Sequence, residues 1–368
     1  MVNIFVYGLA LIVPLIFLGI IRKFDFYQTG QFSLILLCLC WGAIAYAPAS
    51  SINWYLNNSG LVYQHTIDHF IAPILEEVFK GLILIYLVRR SRFTYSVDGA
   101  LYGFAVGIGF AIFENLENVL PAQSMIDIII RILSTNLIHA FSSAAIGIAL
   151  GIFRLGTSRL RWLISMGGVL VAIGQHMLFN TMEPEFSPIA TIIPGFLGMF
   201  FIYVVMQRGK KQARIWIKEK LGMEDRVTHN EVTAVDRLAN ADDALLPVFK
   251  RFGVETTSQV EKLLYLQARI GIKSKALDGL RGNDKIYKAV ETEINKMRSE
   301  MKRIQGEIGS YAMLFVRGLF TDEMASVWEQ MQNKIKERSA ATGGQKGGGL
   351  WSSLEERLKS STADGRLE

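Results

Sequence analysis

Seven stretches of mostly apolar residues recur along the first 206 positions, at 2–21, 32–49, 67–88, 97–119, 126–153, 162–180 and 187–206. About 20 such residues are what a helix needs to cross a hydrocarbon layer about 30 Å thick, because in lipid every backbone polar group must be satisfied within the helix. The expectation is therefore an all-α, polytopic helix bundle with about seven spans. The first run is read as a retained anchor and not as a cleaved leader, since its basic pair, Arg22-Lys23, follows it.

The distribution of charge then orients the bundle. Lys and Arg collect after the first, third, fifth and seventh runs: Arg22 and Lys23; Arg89, Arg90 and Arg92; Arg154, Arg159 and Arg161; and six bases from Arg208 to Lys220. The connections 50–66, 121–124 and 181–186 hold neither. Since basic residues mark the cytoplasmic side, the N-terminus is expected outside and everything after residue 206 inside. Residues 1–206 balance ten bases against ten acids, so the net charge of +6 belongs wholly to residues 207–368. That excludes one uniform water-soluble domain. Cys38 and Cys40, within an apolar run, read as small hydrophobes and exclude a disulfide scaffold.

Residues 207–341 read as a soluble, helical, coiled-coil-like cytoplasmic region. Val290, Ile294, Met297, Met301, Ile304 and Ile308 recur at heptad steps, fitting a coiled coil or an amphipathic helix of a small bundle equally well. A further helix is expected from Thr321. Residues 342–368 form a Gly-rich linker and an unstructured end. The basic run 208–220 reads as positive-inside charge, with contact to anionic lipid as the alternative. No nucleic-acid motif is present.

Ionisable groups inside the spans carry the functional signal, because each costs about 2.5–3.5 kcal/mol at the bilayer centre on insertion scales. The third run contains Glu76, Glu77 and Lys80; the fourth, Phe110, Glu114 and Asn115; the fifth, Asn136 and His139; the sixth, His176 and Asn180. Glu76 and Lys80, spaced i and i+4, are expected to pair, and Glu77 is then free to address another helix. His176 and Asn180 share a face by the same spacing. Glycines 99, 103, 107 and 109 let neighbouring helices approach the fourth span closely. Asp98, Glu117, Asp127 and Arg131 lie near span ends and are read as solvated or snorkelling. His65, Asp68 and His69 lie near the outer connection.

Taken singly, each group has a structural reading, such as an ion pair or polar contact between helices. Taken together, three glutamates and two histidines on four helices point to chemistry in the outer half of the bilayer. Two classes fit. One is an endopeptidase in which a carboxylate activates water, with or without a divalent metal such as Zn on Glu114, His139 and His176. The other is a proton or ion relay, or a transporter, although no internal repeat is found.

The pattern Glu76-Glu77-x-x-Lys80, then Asp98-Gly99 leading to Phe110-x-x-x-Glu114-Asn115, His139 and His176-x-x-x-Asn180 resembles the PrsW family of bacterial intramembrane endopeptidases. That family is related to the type II CAAX prenyl endopeptidases and the abortive-infection membrane proteases. The resemblance covers roughly residues 67–181. It implies catalytic roles for Glu76, Glu77, Glu114, His139, His176 and Asn180, one of the paired glutamates being the general base, with Lys80, Phe110 and Asn115 in support. Asn180 departs from the Asp of the family pattern and is closer to the wider superfamily, where an Asn helps hold the oxyanion. No His-Glu-x-x-His is present, and metal-free, glutamate-driven hydrolysis is preferred to a metal site. The resemblance further implies the bacterial plasma membrane, a single-span anti-sigma factor as substrate, and cleavage at its extracytoplasmic side. A partner helix or self-association is assigned to the tail, and a catalytically inactive helix-binding relative is the remaining alternative.

Overall fold

The computed structural model describes residues 2–118, 125–156, 159–182, 188–221, 235, 241–280 and 284–319. The helix expected from Thr321 and the segment 342–368 lie outside the described residues. The chain divides into two compact units, 1–313 and 314–368.

Among its described residues the first unit is helical, without strands. Helices α1 (Val2–Arg22), α2 (Phe32–Ser59), α3 (Ala72–Val88), α4 (Ser96–Asn118), α5 (Met125–Leu155), α6 (Arg161–Met182) and α7 (Pro188–Lys220) correspond in order to the seven apolar runs. Six of them, all but α3, are at least 18 residues long and apolar enough to cross a membrane. The exception is informative. As an α-helix α3 has 17 residues, and it is entered through a wide π-turn at Ile67–Ile71. Pro73 in its first turn has no N–H to offer the preceding turn, which favours a break in the i→i−4 ladder there. Helix α7 continues through residue 206, where the membrane region was expected to end, as far as Lys220.

Helix α4 is the axis of the bundle, and every residue from Val97 to Ile112 is buried. Its glycines explain how. A Cβ at Gly103 would overlap the carbonyl oxygen of Ser143 on α5, and one at Gly107 that of His139. On the opposite side Gly109 meets the backbone of Leu39 on α2, and Gly42 of α2 meets that of Val106. Small residues thus let α2 and α5 close on α4 backbone to backbone, the packing mode available where lipid supplies no hydrophobic drive between helices. Helices α1, α6 and α7 turn apolar side chains outward, among them Ile16, Leu170, Leu197 and Phe200. Trp54, Tyr55 and Tyr63 stand exposed at one end of the bundle, as aromatic residues do at a membrane–water interface.

At the other end α4 is fastened by a group that the sequence reading placed in solvent. Asp98 is fully buried; it accepts from Thr29 Oγ1 at 2.6 Å and from the backbone N–H of Thr94 at 2.6 Å, joining the α1–α2 and α3–α4 turns. Asp25 caps the same turn by accepting from the N–H groups of Thr29 (3.0 Å) and Gly30 (2.8 Å). Onto this end packs a hairpin of α8 (Ala241–Gly279), bent at Gly253 with φ 81°, and α9 (Asp284–Ile308). Lys273 of α8 donates to the carbonyl of Ser91 at 3.0 Å and pairs with Glu293 of α9 at 3.2 Å. The heptad positions Val290, Ile294, Met301, Ile304 and Ile308 are buried and Met297 is half-buried, so the seam of α9 is covered along its length.

Candidate active site

The N-terminal part of α3, the C-terminal ends of α4 and α6 and the N-terminal half of α5 meet at one end of the bundle. Each contributes an ionisable side chain to one connected cluster.

Lys80 of α3 sits at its centre with no exposed side-chain surface. Its Nζ lies 2.5 Å from Glu77 Oε1 and 2.8 Å from His139 Nδ1, and 4.5 Å from the centre of the Phe110 ring. The expected i, i+4 pair with Glu76 is replaced by an i, i+3 pair with Glu77. Glu77 faces the bundle interior, where both the ammonium and α6 are; Glu76, rotated about 100° on a 3.6-residue helix, keeps 14% of its side chain exposed.

Glu77 Oε1 also accepts from Ser142 Oγ at 2.8 Å and from His176 Nδ1 at 2.9 Å. Three donors on one oxygen hold it in place. The protons on both imidazoles follow. Since an ammonium only donates, His139 Nδ1 accepts from Lys80, and its Nε2–H donates to Glu114 Oε2. His176 donates through Nδ1, which leaves the Nε2 lone pair free, 3.6 Å from Glu76 Oε2. That carboxylate oxygen is buried and has no hydrogen-bond partner. The rings of His139 and His176 stand edge to face at 4.7 Å, and Phe110 packs 5.1 Å from His139.

Of the residues expected at the site, Glu76, Glu77, Lys80, Phe110, Glu114, His139 and His176 come together. Two do not. Asn180 Nδ2 donates to the carbonyl of Asp68 at 2.9 Å, tying α6 to the π-turn. Asn115 is fully buried beside Glu114, with neither side-chain polar atom hydrogen-bonded. Two participants were missed. Ser142 stands i+3 from His139 on the same face and donates to Glu77, whereas i, i+4 spacing had stacked Ser143 with His139. Arg131 was read as snorkelling; its Nη2 lies 3.8 Å from Glu114 Oε1.

The donor set also bears on a metal. Glu76, His139 and His176 offer one ligand atom each, all within 4.8 Å of one another, whereas the sequence grouping had used Glu114. Two imidazoles and a carboxylate are a common zinc set, and bonds of about 2 Å at tetrahedral angles put ligand atoms roughly 3.3 Å apart. The 3.6 Å between Glu76 Oε2 and His176 Nε2 is close to that. Charge agrees: two cations, Arg131 and Lys80, face three carboxylates, so with neutral imidazoles one negative charge is in excess. The residues fit a divalent cation.

Comparison with known proteins places the same residues in context. Residues 30–206 match the model of the PrsW family, described as intramembrane metalloproteases. The chain is 27% identical to Protease PrsW of Geobacillus kaustophilus (strain HTA426) over 140 residues, which is 38% of this chain and 62% of that protein. It is 29% identical over 98 residues to Protease PrsW of Clostridioides difficile (strain 630), covering 26% of this chain and 38% of that one. The matched stretches thus span less than two thirds of either relative. No solved structure matches. With a helical bundle whose long apolar helices suit a membrane, these likenesses support a membrane protease function.

Proposed function

We propose that the chain is an intramembrane endopeptidase of the bacterial plasma membrane, hydrolysing a peptide bond of a membrane-associated protein near the outer face. The observation that carries this reading is the pair of acceptors left open at the Glu76 end of the cluster, Glu76 Oε2 and His176 Nε2, 3.6 Å apart. Two converging acceptors orient a water by both of its hydrogens and leave an oxygen lone pair for a carbonyl carbon.

Glu76 is the base in this reading. Its free oxygen takes a proton as the water oxygen bonds to the carbonyl carbon, and the proton passes to the leaving nitrogen as the C–N bond breaks. Glu77 Oε2 is also buried without a hydrogen-bond partner, but Glu77 is held by Lys80, Ser142 and His176 on its Oε1 and is 1% exposed against 14% for Glu76, so it is read as the positioning carboxylate. It fixes the tautomer of His176 and keeps the Nε2 lone pair aimed at the water, as a carboxylate behind a functional imidazole does. Glu114 orients His139 in the same way.

If a divalent ion is resident, Glu76, His139 and His176 would hold it, and it would supply Lewis-acid polarisation of the carbonyl and a more acidic water. Lys80 and Glu114 then govern how readily His139 gives up its present hydrogen bonds.

The location comes from combining charge with topology. The cluster lies at the end of the bundle whose connections, 60–66, 119–124 and 183–187, contain no Lys or Arg. The positive-inside rule makes that end the outer one, and makes the hairpin of α8 and α9 cytoplasmic. A single-span anti-sigma factor cut on its extracytoplasmic side is the substrate class consistent with that placement, and the cytoplasmic hairpin is the surface offered to a partner or a second copy. Purified protein in nanodiscs should cleave single-span substrates, and Glu76→Gln should abolish cleavage while leaving thermal stability within about 0.5 kcal/mol. Undiminished cleavage by Glu76→Gln would overturn the reading. Ion flux in liposomes that Glu76→Gln abolishes, without proteolysis, would replace it with a relay.

A further inference from the structure

Where α1 ends, at the basic end of the bundle, the fold leaves a cavity of about 430 Å³. That lies within the range of about 300–1,000 Å³ occupied by small-molecule sites. Gly19, Arg22 and Lys23 of α1, Asp25 and Gln28 of the following turn and Tyr265 of α8 line it. None of them belongs to the candidate active site. The sequence assigned Arg22 and Lys23 to topology alone, yet both are exposed at this cavity. Among the described residues neither side chain makes a hydrogen bond or ion pair; the Arg22 guanidinium rests over the Phe32 ring, 5.0 Å from its centre. Gln28 adds an exposed amide. Asp25 would oppose an anion, but it is buried and its carboxylate is committed to the turn. Oδ1 accepts from the N–H and Oγ1 of Thr29, and Oδ2 from the N–H of Gly30.

The approach to the cavity is apolar. Ile12, Leu15, Ile16, Gly19, Ile20 and Lys23 share one face of α1 by helical spacing, and the four aliphatic side chains among them are exposed. That face runs along the lipid and arrives at the cavity at Gly19, where nothing lies within 4 Å of the place a Cβ would take. A ligand with apolar tails and an anionic head matches both parts, whereas a free phosphate would use only the bases. We propose that this cavity binds the headgroup of an anionic phospholipid from the leaflet at the basic end. The phosphate accepts from Arg22 and Lys23, and the acyl chains lie on the exposed face of α1. Because Tyr265 belongs to α8, the bound headgroup bridges α1 and the α8–α9 hairpin, and by linkage it stabilises the docked hairpin. The site is separate from the hydrolytic reading and does not depend on it.

The test titrates full-length protein in detergent micelles with dioleoylphosphatidylglycerol and reads retained lipid by native mass spectrometry. Dioleoylphosphatidylcholine should bind at least about tenfold more weakly, and soluble glycerol 3-phosphate in about hundredfold excess should not displace the lipid. Arg22→Gln/Lys23→Gln should weaken phosphatidylglycerol binding about thirtyfold, as expected for two basic contacts to an anionic headgroup. Arg92→Gln/Lys211→Gln removes the same charge from exposed positions at the same end, away from the cavity, and should change binding less than about threefold. Gly19→Trp keeps every charge, enters open space and fills the cavity; it should weaken binding about tenfold and guards against a misfolded double variant. Glu76→Gln should bind lipid as the unaltered protein does. Unchanged binding in Arg22→Gln/Lys23→Gln or in Gly19→Trp, or equal loss in both double variants, would show that surface charge alone holds the lipid and would overturn the site. Displacement by glycerol 3-phosphate would make it a free-anion site and overturn the lipid assignment. Failure of the protein to cleave any substrate would remove the protease reading and leave the lipid site standing.

Discussion

Removing the Lys80 ammonium while keeping its bulk, by Lys80→Met, perturbs the most deeply buried Lys–Glu pair among the described residues. The structure sets the magnitude. Glu77, 1% exposed, would keep Ser142 Oγ and His176 Nδ1 as donors but lose its only contacting cation. His139 Nδ1 would lose its donor, and the Phe110 ring the charge 4.5 Å from its centre. Breaking a buried pair by deleting one partner costs about 3–5 kcal/mol, mostly as the penalty of the stranded charge. The cation–π and imidazole contacts fall within the same deletion and are not added to it. Glu77→Gln strands Lys80 instead and should cost about as much. The double variant Glu77→Gln/Lys80→Met strands neither charge and should be more stable than either single one, a coupling of at least about 2 kcal/mol in a double-mutant cycle. Unfolding in mixed micelles, followed by helical circular dichroism against SDS mole fraction, measures all four proteins. A cost below about 1 kcal/mol for Lys80→Met, or additivity of the two changes, would show that the pair does not hold Glu77 and would refute its structural role behind His176.

Packing at α4 gives a second contrast: Gly103→Ala should destabilise by about 1–3 kcal/mol, because its methyl group overlaps the backbone of Ser143, while Gly174→Ala, with nothing near its Cβ, should be neutral or stabilising in the same unfolding assay. Metal content measured by plasma mass spectrometry after zinc loading should fall in His176→Ala and Glu76→Gln but not in Asn180→Ala, and equal content in all four proteins would remove the proposed ligand set. Burial lowers the ammonium of Lys273 from its ordinary range near 10.5. Its charged form is therefore better tolerated in the unfolded chain, and docking of the α8–α9 hairpin should gain stability as pH rises toward that range and lose it as pH falls. Lys273→Met should flatten that slope in thermal melts between about pH 8 and pH 10.

What could be read from the sequence, and what could not, divides along a physical line. Apolar run length, loop charge and the rarity of ionisable groups in spans are one-dimensional, so the helical bundle and the deep residues Glu76, Glu77, Glu114, His139 and His176 were accessible before any coordinates. Pairings are not one-dimensional. Helical spacing alone favoured Lys80 with Glu76, yet which glutamate faces Lys80 depends on how α3 is rotated, and the π-turn and Pro73 stand at the entry to α3. Asp98 looked like a span-end residue because its partners, Thr29 and Thr94, come from turns without periodicity. Arg131 looked like a snorkelling base for the same reason, its partner Glu114 lying across a helix–helix contact.

The order of charges along the cluster is what favours the proposed site over a scaffold. Reading Arg131, Glu114, His139, Lys80, Glu77, His176 and Glu76 as they touch, each of the first six is satisfied in part by its neighbour. The series ends on a carboxylate whose buried oxygen is not hydrogen-bonded. Glu77 Oε2 is unbonded as well, but of the two carboxylates Glu76 is the one that keeps exposed surface, and an unsatisfied buried oxygen costs about 1–3 kcal/mol, more when charged. Binding a water, or an ion with the third ligand drawn in from within 4.8 Å, recovers that cost at the point where a hydrolytic step needs it. In the proposed hydrolysis Ser142, Lys80 and Glu77 act through rigidity, and reactivity is left to Glu76.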